Sequence, residues 1–294
     1  NPIAGAGKAE KISRHIAKQL MPEGFAIESR QSAACYDAEE MAEFLAAQDA
    51  VIVAGGDGTL RGLLPCLVRA AKPVYVLPFG NESLFSREHH MKRSVRAVAN
   101  VLCRGEVVQA YVASVNGALF HTMVSIGLDS EVIADIADRR TAAIGRSGYV
   151  LPILRAMRHH RPPAVCLAVD GKPVIAGEPG LLIVAKNRQY ALRLGLVPEA
   201  DSSCEDLWAR FFPYSTLLDL CLWGIRSWAE DFSKHRSVPV YRGRKFEIRV
   251  AENYYYPVQA DGEFAGVAPV IIEAEGKSIN VLCSPKRQQV TRRL

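Results

Sequence analysis

The sequence predicts two parts: an α/β N-terminal part built on a doubly wound parallel sheet, then a mainly antiparallel β part. Three observations carry this. Up to about residue 106, short apolar strands alternate with amphipathic helices, and glycine-rich turns follow two of the strands. Beyond that point, period-two apolar runs are punctuated by Asn116-Gly117 and Asp170-Gly171, both hairpin signals. The division follows the change of texture, 1–106 and 107–294, with room for the last residues to pack back on the first part.

Taken in order, Lys8 to Leu20 sets Ile12, Ile16 and Leu20 on one helical face, with basic side chains opposite. Phe25 to Glu28 reads as a strand, and Asp37 to Ala47 as a helix with an acid at its start. Val51 to Val53 is a buried parallel strand that ends in Gly55-Gly56-Asp57-Gly58-Thr59. Glycines there permit positive φ and bring backbone amides close to a ligand. Thr59 can cap the helix expected over Leu60 to Ala71, which Pro65 can kink. Pro73 to Pro78 is the next strand, closed by Phe79-Gly80-Asn81-Glu82-Ser83, with helical stretches at Leu84 to His90 and Ser94 to Cys103. Ligands of such sheets bind at the carboxyl ends of the strands, so the two glycine turns can face one cleft. Later strands are expected over Val107–Val115, Ala118–Ile126, Ala164–Val169, Gly180–Ala185, Lys245–Val250, Tyr255–Ala260 and Val270–Ala274. Helical regions run from Asp129 to about His160 and from Ser215 to about Ser227, and the basic tail Lys286 to Leu294 is expected to be solvated.

Composition excludes several classes. With 294 residues, 49% of them hydrophobic, the chain can bury a sizeable core and is not disordered. A net charge of +5 suits an anionic nucleotide or membrane surface, and is too small to argue for nucleic acid. Seven scattered cysteines without a CxxC pair indicate reduced core residues of a cytoplasmic protein, with no disulfide frame or zinc site. The longest apolar run, Phe211 to Trp228, is broken by Asp219 and Arg226, so no membrane span is expected. Gly5-Ala6-Gly7-Lys8 is too short for a Walker A loop and lacks the following Ser/Thr. The chain opens on Asn1-Pro2 without a methionine, which leaves room for a preceding strand.

The candidate site residues follow from this layout, each with a plainer alternative beside it. Asp57 can orient magnesium with nucleotide phosphates or help activate a hydroxyl, or can be a turn aspartate bonding its own backbone. Asn1, Pro2 and Gly5 can close over a phosphate or ribose, or form a helix entry turn. Gly80 and Asn81 can form the other lip of the cleft, or an ordinary βα turn. Asp261-Gly262 is a hairpin turn by default, and Glu263 after it can project into the cleft as a general base. Asp129 can bind an acceptor's hydroxyl or amine, or simply favour a helix N-terminus. Arg139, Arg140, Arg146, Arg155, Arg158, His159, His160 and Arg161 surround Tyr149, Leu151, Ile153, Leu154 and Met157. Such a helical region can lie on an anionic membrane or face a core with one solvated side.

In this order the motifs resemble the diacylglycerol kinase catalytic-domain family, which includes bacterial lipid kinases and sphingosine kinases and shares a superfamily with NAD kinases and 6-phosphofructokinases. The resemblance rests on Asn1-Pro2 with Gly5 and Gly7, on Gly55 to Thr59, on Pro78-Phe79-Gly80, on Gly127-Leu128-Asp129 and on Asp261-Gly262-Glu263. It implies a lipid kinase-like architecture: a Rossmann-like ATP-binding domain and a β-sandwich domain, with the γ-phosphate of ATP passing, with Mg²⁺, to a lipid hydroxyl in the cleft between. By position it implies nucleotide contacts at Asn1, Gly5, Ser32, Gly55, Gly56, Asp57, Gly58 and Thr59, and a base at Glu263. The implied partner is a lipid met peripherally at a membrane; no nucleic acid is expected, and a homodimer is left open. Two departures stand out. The second loop, close to PxGTxNDFAR in the family, has Asn81 for the threonine and Ser83-Leu84 for Asn-Asp. The P-x-A…DG-x-L-D segment that holds a structural magnesium in some bacterial members keeps Pro198, Ala200 and Leu207, but has Cys204-Glu205 for Asp-Gly and Trp208 for the last aspartate; that metal site is expected to be absent. The alternatives are a kinase of a soluble acceptor, in the manner of NAD kinase, and a catalytically weak nucleotide- or lipid-binding relative.

Overall fold

A computed structural model describes residues 1–5, 7–32, 36–139, 150–188, 190, 194–229, 238–251 and 255–285, without the side chains of residues 150, 159, 228 and 229. The first half contains α1 (Lys8–Leu20), α2 (Ala38–Ala46), β1 (Val51–Gly55), α3 (Asp57–Ala70), β2 (Val74–Pro78), α4 (Leu84–Glu88), α5 (Val95–Arg104) and β3 (Glu106–Tyr111). Then follow β4 (Ala113–Val115), β5 (Ala118–Phe120), β6 (Met123–Ile126), α6 (Leu128–Arg139), α7 (Val150–His159), β7 (Ala164–Val169) and β8 (Lys172–Ala185). The remainder is β9 (Leu207–Pro213), α8 (Leu217–Ala229), β10 (Val240–Gly243), β11 (Lys245–Val250), β12 (Pro257–Ala260), β13 (Glu263–Val267), β14 (Val270–Glu273) and β15 (Ser278–Cys283).

The first sheet has the order β1-β2-β15-β3. β1 and β2 pair in parallel, from Val51 opposite Val74 to Gly55 opposite Pro78, so both strands end at one level. β15 returns from the far end of the chain to lie between β2 and β3, antiparallel to β3. α2 starts where the Asp37 carboxylate accepts from Glu39 N and Glu40 N, and α5 where Ser94 Oγ accepts from Ala97 N. α3 contains Pro65, yet Leu60, Leu64 and Leu67 on its inner face are fully buried. Each contributes about 1.5–3 kcal/mol, which together outweighs the ~3 kcal/mol cost of an interior proline.

The second sheet runs β13-β12-β6-β8-β7-β11-β14-β4-β5, with β9 and β10 branching from β8. β8 joins its two halves. Residues 172–179 pair with β7, while residues 180–185 lie between β6 and β9. A core of Phe120, Ile126, Leu167, Phe211, Phe246 and Val258 fills the space between the halves. Asn116-Gly117, Asp170-Gly171 and Asp261-Gly262 all turn with positive φ at both residues, as hairpin turns of this type require. The α/β part followed by an antiparallel β part is the class the sequence predicts.

Some expected elements differ. Residues 25–28 form no strand; Phe25 and Ile27 pack on the first core without joining the ladder at β1. Thr59 is not a cap, because α3 already begins at Asp57. The run from Ala118 to Ile126 breaks at His121-Thr122, whose amides turn to Asp261 instead of a neighbouring strand. β9, β10, β13 and β15 are additional strands. The expected long helical region is α6 and α7; Arg140, Arg146 and Tyr149, like Cys35 and the tail from Lys286, fall outside the described residues. Among the described residues, the other six cysteines form no disulfide. Among the described residues, no helix is long and apolar enough to cross a membrane.

Candidate active site

The two glycine turns meet backbone to backbone. A Cβ placed on Gly56 would lie 2.8 Å from Gly80 Cα, and one placed on Gly80 would lie 2.9 Å from Gly56 Cα. A Cβ on Gly55 would overlap the Thr59 side chain, and one on Gly58 would overlap Glu263 Oε1. None of these four glycines has a positive φ, contrary to the expectation from sequence; Gly56 has φ −100°. Their reason for being glycine is the closeness of their neighbours, and at Gly58 that neighbour is the candidate base.

The loop is held from several directions. Asn1 donates through its backbone nitrogen to Ala54 O (3.1 Å) and through Nδ2 to Thr59 Oγ1 (3.0 Å). Pro2 follows it half-buried, and Gly5 lies against Phe79. The first turn of α3 has no side-chain cap, so the backbone amides of Asp57, Gly58 and Thr59 head the helix without one. That is an anion site of the kind phosphates occupy. Ser32 lies half-buried in the irregular segment after α1, and Asn81 is exposed beside Gly80.

The Asp57 carboxylate is buried and points at the second loop. Oδ2 accepts from Leu84 N (2.9 Å) and Oδ1 from Phe85 N (3.1 Å). Burial pushes this carboxyl above its ordinary range, against the pull of His121 and the two amides. Behind it lies a buried web that joins the two halves of the chain. His121 Nε2 sits 3.2 Å from Asp57 O and 3.4 Å from Asp261 Oδ2. Asp261 accepts from the amides of His121, Thr122 and Met123 at 2.8 to 3.1 Å. Arg61, one turn into α3, donates to Leu119 O (3.3 Å) and Ala260 O (3.1 Å). These bonds set the turn that ends at Glu263. Sequence reading singles out neither His121 nor Arg61; the only signal is a polar pair interrupting an apolar run.

Asp129 opens α6 in a buried polar cluster. Its Oδ2 accepts from Ser125 Oγ and from Tyr190 OH (2.9 Å), while its Oδ1 is buried without a partner among the described residues. Burial pushes this carboxyl up as well. Gln259 connects the cluster to the candidate base: Nε2 donates to Ser125 Oγ (2.6 Å), and Oε1 accepts from Gly262 N (2.8 Å). His160 is turned inward, between Glu131 (2.8 Å) and Tyr214 OH (2.6 Å).

Fit to the groups the resemblance implies is uneven. The amide-lined head of α3 fits an ATP phosphate. Both Asp57 oxygens already accept amide hydrogens, so Asp57 fits better as a support of the two loops than as a direct ligand of magnesium. The segment that aligns with the family's structural-magnesium motif, where the sequence predicts no such site, does not fit one. The carbonyls of residues 204–206 converge on the Lys186 ammonium, and Asp206 is taken by Arg242. No cluster of three or more His, Cys, Asp or Glu suited to a metal occurs among the described residues.

Residues 1–115 match the family model described as diacylglycerol kinase catalytic domain. A diacylglycerol kinase of Mycobacterium tuberculosis is 28% identical over 211 residues, 69% of this chain and 68% of the relative. One of Staphylococcus carnosus is 22% identical over 273 residues, 92% of this chain and 88% of that protein. A crystal structure of a diacylglycerol kinase from Bacillus anthracis superposes with a TM-score of 0.65 at 20% identity, covering 97% of this chain and 95% of that one. At that identity the superposition shows the fold, while the family model and the aligned relatives bear on descent. Together with the glycine loops, these matches make residues 1–115 similar to the diacylglycerol kinase catalytic domain and the whole chain similar in fold to a two-part kinase of that kind.

Proposed function

We propose that the protein is an ATP-dependent lipid kinase that moves the γ-phosphoryl group of ATP to a hydroxyl of an amphipathic lipid such as a diacylglycerol or a sphingoid base. The observation that carries this is the Glu263 carboxylate against Gly58, at the uncapped head of α3. A base and a phosphate cradle in contact are what phosphoryl transfer to an alcohol requires. The amides of α3 hold the donor's phosphates, and Glu263 takes the proton as the acceptor oxygen bonds to the γ-phosphorus and the bond to the β-phosphate oxygen breaks, releasing ADP. Magnesium, when bound with ATP, neutralises charge on the phosphates. Asp57 keeps the two glycine loops in register, and Asp129 receives the polar head of the acceptor at its unpartnered oxygen.

The acceptor is met at a membrane. α7 exposes Leu151 and Leu154 with Arg155 and Arg158, and α8 exposes Leu218, Leu222 and Ile225. Apolar side chains flanked by arginines suit an anionic bilayer, with the protein peripheral on the cytoplasmic side. The test is transfer of labelled phosphate from ATP to a lipid panel, in anionic vesicles and in neutral ones. Wild type is expected to be faster on anionic vesicles, and Glu263→Gln to lose about 10²–10⁴-fold in kcat with ATP affinity kept. Wild-type rates in Glu263→Gln would overturn the assigned base; transfer to a soluble alcohol alone would overturn the lipid.

A further inference from the structure

Lys186 follows directly on β8, and its side chain is fully buried. Its ammonium donates to three successive backbone carbonyls: Cys204 O, Glu205 O (2.8 Å) and Asp206 O (3.0 Å). An ammonium has three donors and no acceptor, so these bonds satisfy it fully. The Tyr111 ring lies 5.6 Å from Nζ and adds a cation–π contact. Burial lowers the pKa of Lys186 to about 8, which keeps it charged at neutral pH.

The carboxylates of the same segment are taken as well. Asp201 accepts from Ser203 N (2.9 Å) and Ser203 Oγ (2.8 Å). Asp206 pairs with Arg242 (2.7 Å), and Glu205 with Arg244. Three carbonyls and three carboxylates are the hard oxygen donors that a divalent cation takes. Here each meets a protein donor instead.

We propose that the Lys186 ammonium is a built-in cation that holds the 201–206 segment in place without a structural metal, at the segment where the family resemblance implies magnesium. The consequence reaches the site. Lys186 N donates to Thr122 O (2.7 Å), Thr122 Oγ1 lies 2.8 Å from His121 Nδ1, and His121 reaches Asp57 O. Ser202 O, in the same segment, accepts from Tyr111 N (2.7 Å), at the last residue of the β3–β15 pairing. A lysine thus anchors the loop at which the family resemblance implies an ion.

The test uses the whole wild-type chain, purified without chelator in millimolar Mg²⁺ and passed through gel filtration into metal-free buffer just before measurement. We expect substoichiometric divalent metal by mass spectrometry. The melting temperature should move by less than about 1 °C on adding EDTA or millimolar Mg²⁺, whereas an ion bound at about 100 times its Kd would shift it by several degrees. Lys186→Met removes the charge but keeps much of the volume, and is expected to lower Tm by roughly 10 °C through three stranded carbonyls. One equivalent of retained metal, a Tm that falls on chelation, or an unchanged Tm in Lys186→Met would each overturn the proposal. If Lys186→Met does not fold, the wild-type metal content and chelation melt decide alone. Neither readout involves catalysis, so failure here is distinguishable from failure of the phosphotransfer reading.

Discussion

The chain builds two backbone cradles of opposite polarity. At the head of α3 the first-turn amides stand without a side-chain cap, two glycines from different loops touch, and a carboxylate abuts a third. At residues 204–206 three carbonyls converge, and a buried ammonium closes them. The first cradle carries no side-chain cap and is the one the proposed function fills with a phosphate, whereas the second is completed by the chain itself. Such a difference separates a site that acts from one that supports. An amide cradle left uncapped is a cost to folding that a bound phosphate offsets, whereas a filled carbonyl cradle needs nothing from solution.

Filling the open cradle should have the largest effect. Gly58→Ala places a methyl group where Glu263 Oε1 now lies, so the carboxylate must move. We expect kcat to fall by about 10²–10⁴-fold, as for loss of the base, with little change in Tm. Because both changes act on one interaction, combining Gly58→Ala with Glu263→Gln should not multiply the losses. Steady-state kinetics on the single and double variants checks this, and full activity in Gly58→Ala would break the picture of a base held against the glycine.

A smaller effect is expected from loosening the open cradle from the second sheet. Arg61 fixes α3 to Leu119 O and Ala260 O, on either side of the Asp261 turn. Arg61→Met keeps the stem and removes both bonds, which should cost about 1.5–3 kcal/mol in urea unfolding. Activity should fall further than that loss of folded protein explains, since the turn carrying Glu263 loses a support. A stability change with no change in kcat would reduce Arg61 to a strut.

The two cradles also differ in how far they could be read from sequence. Gly55 to Thr59 is legible because a strand, glycines and a helix follow one another locally, and the order alone implies an anion site. Even there the expected positive φ is absent: these glycines avoid clashes with Gly80, Thr59 and Glu263, and the fold brings Gly80 and Glu263 close. Lys186 is illegible because its partners lie some twenty residues on and consist of backbone, which has no sequence signature. His121 reads as one residue of a strand for the same reason; Asp261, which bends the chain there, lies 140 positions away. Among strands, β7 and β11 are plain from their alternation. β9 is buried on both faces from Leu207 to Phe212, so it merges in sequence with the apolar helix that follows.

Asp129 lies between the two extremes, with Oδ2 bonded and Oδ1 buried without a partner among the described residues. Burial raises its folded pKa above the ordinary value of about 4. A raised carboxyl binds its proton more tightly in the folded chain than in the unfolded one. Its contribution is therefore full below about pH 4 and is lost as the pH rises through the folded pKa. Asp129→Asn keeps an oxygen for Ser125 and Tyr190, places an amide at the unpartnered position, and carries no charge to bury. Urea melts should show wild type losing more stability than Asp129→Asn between about pH 4 and pH 8, with the gap growing as pH rises. Parallel curves would mean that Asp129 does not hold its proton more tightly in the folded chain, and would place it with the closed cradle instead of the open one.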